Sequence, residues 1–179
     1  MKEKSNRRDF IKAGSTAAVA ASTITFPTVT FGKPDSRKLK IGFIGCGGRG
    51  TGAANQALAA DSNVELWAMG EVSEARLKSS LANISKRKPG MINVDKKRQF
   101  IGLDAYEKVL DSGVDLVILT TPPGFRPLHF KAAVEAGKHI FLEKPMATDA
   151  PGLRSVMESY KLAEKKGLAV VAGFCWRYE

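Results

Sequence analysis

The sequence predicts an α/β fold, a doubly wound parallel sheet with its strands in the order 3-2-1-4-5-6. Three observations predict it. Short β-branched or apolar runs recur at residues 39–44, 64–69, 98–101, 114–119, 139–142 and 168–172. Segments of helical period lie between them, among them 49–60, 127–136 and 150–166. Near-continuous apolar strands alternating with helices require a parallel sheet covered on both faces, and right-handed crossovers bring that pattern to the order given. The 179 residues, with a hydrophobic fraction of 44%, suit one such domain and exclude two large ones, a disordered chain or a collagen-like repeat.

Residues 1–33 stand apart from this alternation. They carry six basic and two acidic residues, which is four of the net charge of +10. Arg7 and Arg8 head an Ala/Ser/Thr-rich stretch at 13–25, the anatomy of a signal peptide. Arg7-Arg8 followed by Phe10, Ile11 and Lys12 resembles the twin-arginine (Tat) consensus. That implies the Tat export machinery as a partner and a periplasmic or otherwise exported location. A membrane span fits poorly, because Gly14, Ser15, Thr16, Ser22, Thr23 and Thr25 interrupt a segment of about 16 residues where roughly 20 apolar ones are needed. Residues 32–37 read as a polar linker, and the folded domain is expected over 38–175.

The first strand runs into Gly45-Cys46-Gly47-Gly48-Arg49-Gly50, a G-x-G-x-x-G at Gly45, Gly47 and Gly50. A strand precedes it, a helix follows, and an acid, Glu71, ends the second strand some 20 residues on, as in a Rossmann-type dinucleotide site. Gly45 makes the tight turn, Gly47 admits a pyrophosphate close to the backbone, and Gly50 lets helix and strand pack, while N–H groups at the helix start, from Gly48 on, face the anion. Glu71 accepts the ribose hydroxyls, which favours NAD, or stands as a first-turn helix acid. Arg76 nearby keeps NADP open. Arg49 either contacts phosphate or is solvated. Cys46 occupies a small-residue position, with a catalytic thiol as the alternative.

The third strand follows a basic stretch, Lys86-Arg87-Lys88 and Lys96-Lys97-Arg98, around Pro89-Gly90. No aromatics interleave with it and no zinc-finger or RNA-binding signature accompanies it, so it reads as a solvated loop, with an anion or partner contact as the alternative and no nucleic-acid partner. Asp104 with Glu107 forms a capping box for the next helix, and Gly113, Gly137 and Gly167 follow the ends of three helices. The fourth strand ends in Thr120-Thr121-Pro122-Pro123 and the fifth in Glu143-Lys144-Pro145. Ligands of open α/β sheets sit beyond the carboxyl ends of strands, so both segments face the cofactor crevice. The two cysteines are too few for a disulfide framework or a zinc site, and no metal is expected. Cys46 and Cys175 end strands 1 and 6, roughly 14 Å apart by strand spacing. A disulfide needs Cα atoms within about 7 Å, so both thiols are expected to be free.

Ile44 to Gly50, Thr120-Thr121-Pro122, the Glu-Ala-Gly-Lys-His run at 135–139, Glu143-Lys144-Pro145 and Cys175-Trp176-Arg177-Tyr178 together resemble the Gfo/Idh/MocA family of oxidoreductases. The resemblance covers 38–179. It implies that Glu143, Lys144 and Pro145 line the nicotinamide, that Lys144 is catalytic, that Lys144-Pro145 is a cis peptide, and that Trp176 and Arg177 help to hold the cofactor. The competing readings are a surface pair between Glu143 and Lys144 and an exposed Trp176-Arg177. Thr121 and Pro122 complete the cofactor set. The chain departs from the family at Arg126, where a histidine is common; His129 is off register and reads as a helix-start or packing residue. Family members continue into a second α/β domain that supplies the substrate pocket and oligomer interface. Residues 176–179 would begin it, so the chain is expected to be a fragment lacking that domain, from a homo-oligomeric protein.

The function implied is an exported NAD(P)-dependent oxidoreductase acting on a sugar or polyol by hydride transfer, with a tightly held cofactor. The alternatives are an NAD-dependent glycoside hydrolase working by oxidation and elimination, and a non-catalytic cofactor-binding module.

Overall fold

The computed structural model describes residues 37–174. The Tat-like segment and most of the linker lie outside the described residues, as do Cys175, Trp176 and Arg177. The strands are β1 (Leu39–Ile44), β2 (Val64–Glu71), β3 (Gln99–Ile101), β4 (Leu116–Leu119), β5 (His139–Leu142) and β6 (Val170–Ala172). The helices are α1 (Gly48–Ala60), α2 (Glu74–Arg87), α3 (Ala105–Asp111), α4 (Arg126–Glu135) and α5 (Ala150–Lys165). All pairings are parallel and the order is β3-β2-β1-β4-β5-β6, as the sequence predicts.

Strand alternation divides the core into two layers. Ile41 and Phe43 point to the face covered by α1 and α2, where they meet Ala53, Ala54, Leu58, Leu77 and Ile84. Ile44 points to the other face and joins Val109, Phe130, Val134, Val156 and Ala163 from α3, α4 and α5. With helices on both faces, the carboxyl ends of β1, β2, β3 and β4 open on one crevice. No helix among the described residues is long and apolar enough to cross a membrane.

Three expectations are corrected. β4 begins at Leu116, two residues later than the apolar run at 114–119 suggests, and the Asp115 carboxylate just before it accepts from the Lys40 N–H at 2.8 Å. The capping box at Asp104 does not form. Asp104 is already helical (φ −87°, ψ 0°), and its carboxylate pairs with Lys108 at 2.6 Å instead of accepting from the Glu107 N–H. Most of the basic stretch is solvated, but Arg98 is structural. Trp67 is the extra residue of a bulge between β1 and β2, and its ring lies between Lys40 Nζ at 3.8 Å and the Arg98 guanidinium at 3.6 Å. Arg98 Nε also donates to the Trp67 carbonyl at 2.9 Å.

Candidate functional site

The crevice is built around the turn that leaves β1. Gly45 has φ +95°, and a Cβ there would stand 2.7 Å from the Thr121 nitrogen, so only glycine makes this turn against the end of β4. The Thr120 hydroxyl bridges to the carbonyls of Ile44 and Gly45 at 2.9 and 2.7 Å, tying β4 to the turn from its other side. Gly50 sits under it with no room for a side chain. Gly47 and Gly48 are the reverse: nothing lies within 4 Å of where a Cβ would be. Gly47 is the N-cap of α1 and offers no side-chain acceptor, so the first N–H groups of the helix open toward that space.

Glu71, at the end of β2, is buried and is not an exposed helix acid. Its Oε2 accepts from the Cys46 N–H at 2.6 Å, and its Oε1 from the N–H groups of Val72 and Ser73 at 2.8 and 3.3 Å. The carboxylate thus holds the glycine loop to the end of β2. Cys46 is free and buried, and burial together with the Glu71 charge raises its thiol pKa well above the ordinary value. A protonated, enclosed thiol is no nucleophile, which removes the catalytic-thiol alternative.

A cleft of about 600 Å³ opens on this loop. Gly45, Gly47, Glu71, Thr121 and Pro122 line it as the motifs predict. Leu103, Tyr106, Phe125 and His129 form an apolar wall that the sequence reading missed, since no local signal ties the start of α3 to the start of α4. Gly48 lies outside this cleft, in a polar groove between α1 and α2 that shares Arg76 with it.

Arg49 and Glu143 meet beside the glycine loop, and neither they nor Lys144 and Pro145 line the cleft. Arg49 is not free: its Nε donates to Glu143 Oε1 at 2.7 Å and its Nη2 pairs with the same oxygen. Glu143 is 5% exposed and its surface pair with Lys144 does not form. Lys144 is exposed and makes no hydrogen bond or ion pair among the described residues. Lys144-Pro145 is cis.

Arg126 is 1% exposed and no acid–base group. It donates to the carbonyls of Leu119 and Thr121 at 2.6 and 2.7 Å, clamping the end of β4; burial lowers its pKa and the Glu143 charge opposes that. His129 packs as expected, with its ring 4.4 Å from Tyr106 and Nδ1 3.1 Å from the Thr121 hydroxyl. Burial, and secondarily the Arg126 charge, push its pKa from 6.5 down to about 4. The unfolded chain therefore takes up this proton before the folded one does. Stability is expected to fall as pH drops from 6.5 toward 4, with this residue adding at most about 1.4 kcal/mol per pH unit. His129→Phe keeps the ring and removes the proton. Urea unfolding of both proteins between neutral and acid pH checks this, and identical acid slopes would refute it.

These residues fit a dinucleotide: an open glycine pair at an uncapped helix start for the pyrophosphate, a buried carboxylate at the end of β2, and a cleft between them. Comparison with known proteins agrees. The chain is 30% identical over 141 residues to an inositol 2-dehydrogenase of Cereibacter sphaeroides, covering 79% of this chain and 38% of the relative. It is 27% identical over 179 aligned residues to a glycosyl hydrolase family 109 protein of Shewanella baltica, covering 89% of this chain and 38% of that one. Among solved structures, scyllo-inositol dehydrogenase from Lactobacillus casei with bound NAD(H) and scyllo-inositol superposes with a TM-score of 0.63 at 22% identity, over 80% of this chain and 38% of the other. The chain thus spans well under half the length of these relatives. Residues 39–174 match the family model described as an oxidoreductase family with an NAD-binding Rossmann fold, and the chain belongs to that Gfo/Idh/MocA family.

Proposed function

We propose that the chain is the dinucleotide-binding part of an exported oxidoreductase that acts on a sugar, polyol or derivative by hydride transfer. The observation that carries this reading is the glycine loop, open at Gly47 and Gly48 and closed by Glu71. Bound there, the nicotinamide cofactor supplies a hydride acceptor or donor. The chain's own residues do the rest. Gly47, Gly48 and the start of α1 hold the pyrophosphate, Glu71 meets the adenosine ribose, and Thr121 and Pro122 support the cofactor along the end of β4. Glu71 favours NAD, because a 2′-phosphate beside a buried carboxylate is repelled, while Arg76 at the same end of the cleft keeps NADP within reach. Lys144, exposed and unpaired among the described residues, holds or polarises the reacting oxygen of the substrate. The inositol dehydrogenases among the relatives support a polyhydroxylated substrate.

Export shapes the mechanism. A compartment with little free NAD(P) requires the cofactor to travel bound, so it is reduced by one substrate and reoxidised by another without leaving. Protein isolated from its producing host and then denatured is expected to release stoichiometric NAD(P). Release of none, with turnover dependent on added cofactor, contradicts the reading.

The similarity to glycosyl hydrolase family 109 supports a second reading, in which transient oxidation of a sugar lets its glycosidic bond eliminate. The intact Glu143-Lys144-Pro145 segment favours the first. Nitrophenyl glycosides assayed beside a panel of sugars and inositols separate the two.

A further inference from the structure

Glu143 is enclosed on three sides. Arg49 reaches it from the first turn of α1 with two donors on one carboxylate oxygen. Gly173, just past β6, lies so close that a Cβ there would stand 2.9 to 3.0 Å from the carboxylate atoms. The buried Arg126 places its charge nearby from the start of α4. Arg49 is the exposed member of this group, with a side chain 54% exposed against 6% for Glu143. An arginine beside a glycine loop is ordinarily read as a phosphate ligand. Here its Nε and Nη2 are both engaged by Glu143, and its Nη1 lies 3.4 Å from Gln56 Oε1.

We propose that Arg49 is a positioning residue that acts through Glu143, fastening the Glu143-Lys144-Pro145 segment to the glycine loop instead of binding the cofactor's phosphates. The inference rests on the reading of that segment as the wall of the nicotinamide subsite. Its physical basis is that two charged donors converging on one oxygen of a nearly buried carboxylate make a charge-assisted link stronger than a neutral hydrogen bond. Glu143 fixed in this way fixes the backbone of Lys144, which has no side-chain partner of its own among the described residues. The pyrophosphate is left to backbone N–H groups at Gly47 and Gly48, where no side chain intrudes.

The two roles separate in binding, without an activity assay. NADH carries the pyrophosphate and the nicotinamide; ADP-ribose carries only the first. Titration of the full chain with each probe is expected to show that Arg49→Met and Glu143→Gln each weaken NADH by about tenfold, the scale of a lost supporting contact, and leave ADP-ribose unchanged. The double variant is expected to be no weaker than either single one, because both remove the same link. Arg49→Lys, which keeps the charge on a single donor nitrogen, is expected to recover part of the loss. Arg49→Met weakening ADP-ribose and NADH equally makes it a phosphate ligand and overturns the inference alone, as does additivity in the double variant. Glu143→Gln leaving NADH unchanged overturns the reading of the segment beneath it. Melting curves confirm that each variant folds, and were Glu143→Gln to unfold, the two affinities of Arg49→Met still decide.

Discussion

Replacing Gly50 with alanine is expected to lower the unfolding free energy by about 3 kcal/mol, the upper range for overpacking, and to abolish dinucleotide binding with it. The added Cβ would stand 2.0 Å from the Gly45 carbonyl oxygen, 2.5 Å from the Thr120 hydroxyl and 2.8 Å from the Phe43 ring. The first of these cannot yield cheaply. Gly45 is held at positive φ, its N–H bonds the Gly70 carbonyl at 2.9 Å, and its own carbonyl is tied to Thr120. Either α1 lifts from β1 or the turn deforms, and both move the helix start that faces the anion. Gly48→Ala is the control. Its Cβ enters open space in the first turn of α1, so stability is expected to change by less than about 0.5 kcal/mol, as for surface sites, while NADH binding weakens because that space is where a phosphate must approach. Urea midpoints and NADH titrations of both variants check the pair, and a wild-type midpoint for Gly50→Ala would refute the packing argument.

Glu71→Ala is expected to cost about 2 kcal/mol of stability in the absence of any cofactor, the scale for depriving a buried donor of a charged partner. The Cys46 N–H loses its 2.6 Å acceptor in a place water does not reach easily, and Val72 and Ser73 lose theirs. The loss is expected to reach the ligand twice over, through the proposed ribose contact and through a glycine loop no longer held. Preference between the cofactors is expected to narrow as well, because Arg76 remains while the repelling carboxylate is gone. Apo-protein unfolding, together with NADH and NADPH affinities, tests this. An apo stability equal to wild type would mean that Glu71 serves the ligand alone.

The sheet order and both faces of the core were legible because they rest on periodicity and crossover handedness, which are properties of whole segments. The glycine loop was legible because each of its glycines answers a local backbone demand. What escaped were partnerships between distant residues of the chain. Arg49 and Glu143 are 94 residues apart, and nothing near either names the other. Thr120 stood one position from a residue marked for the site, yet its task depends on which strand lies beside β1. Arg126 was noticed as a departure, but its burial against the carbonyls of Leu119 and Thr121 follows from how α4 meets β4. The capping box at Asp104 failed for the opposite reason: a correct local pattern was outbid by Lys108 one turn on.

Cys46 lies one residue from the turn that defines the cofactor site, in the place where oxidation would do most harm. Sulfur chemistry begins with the thiolate, and burial beside the Glu71 carboxylate keeps that form from arising at neutral pH. The contact that shapes the loop also disfavours the thiolate. The same carboxylate that fastens the loop thereby lets a dinucleotide-binding fold carry a cysteine there without offering a thiolate.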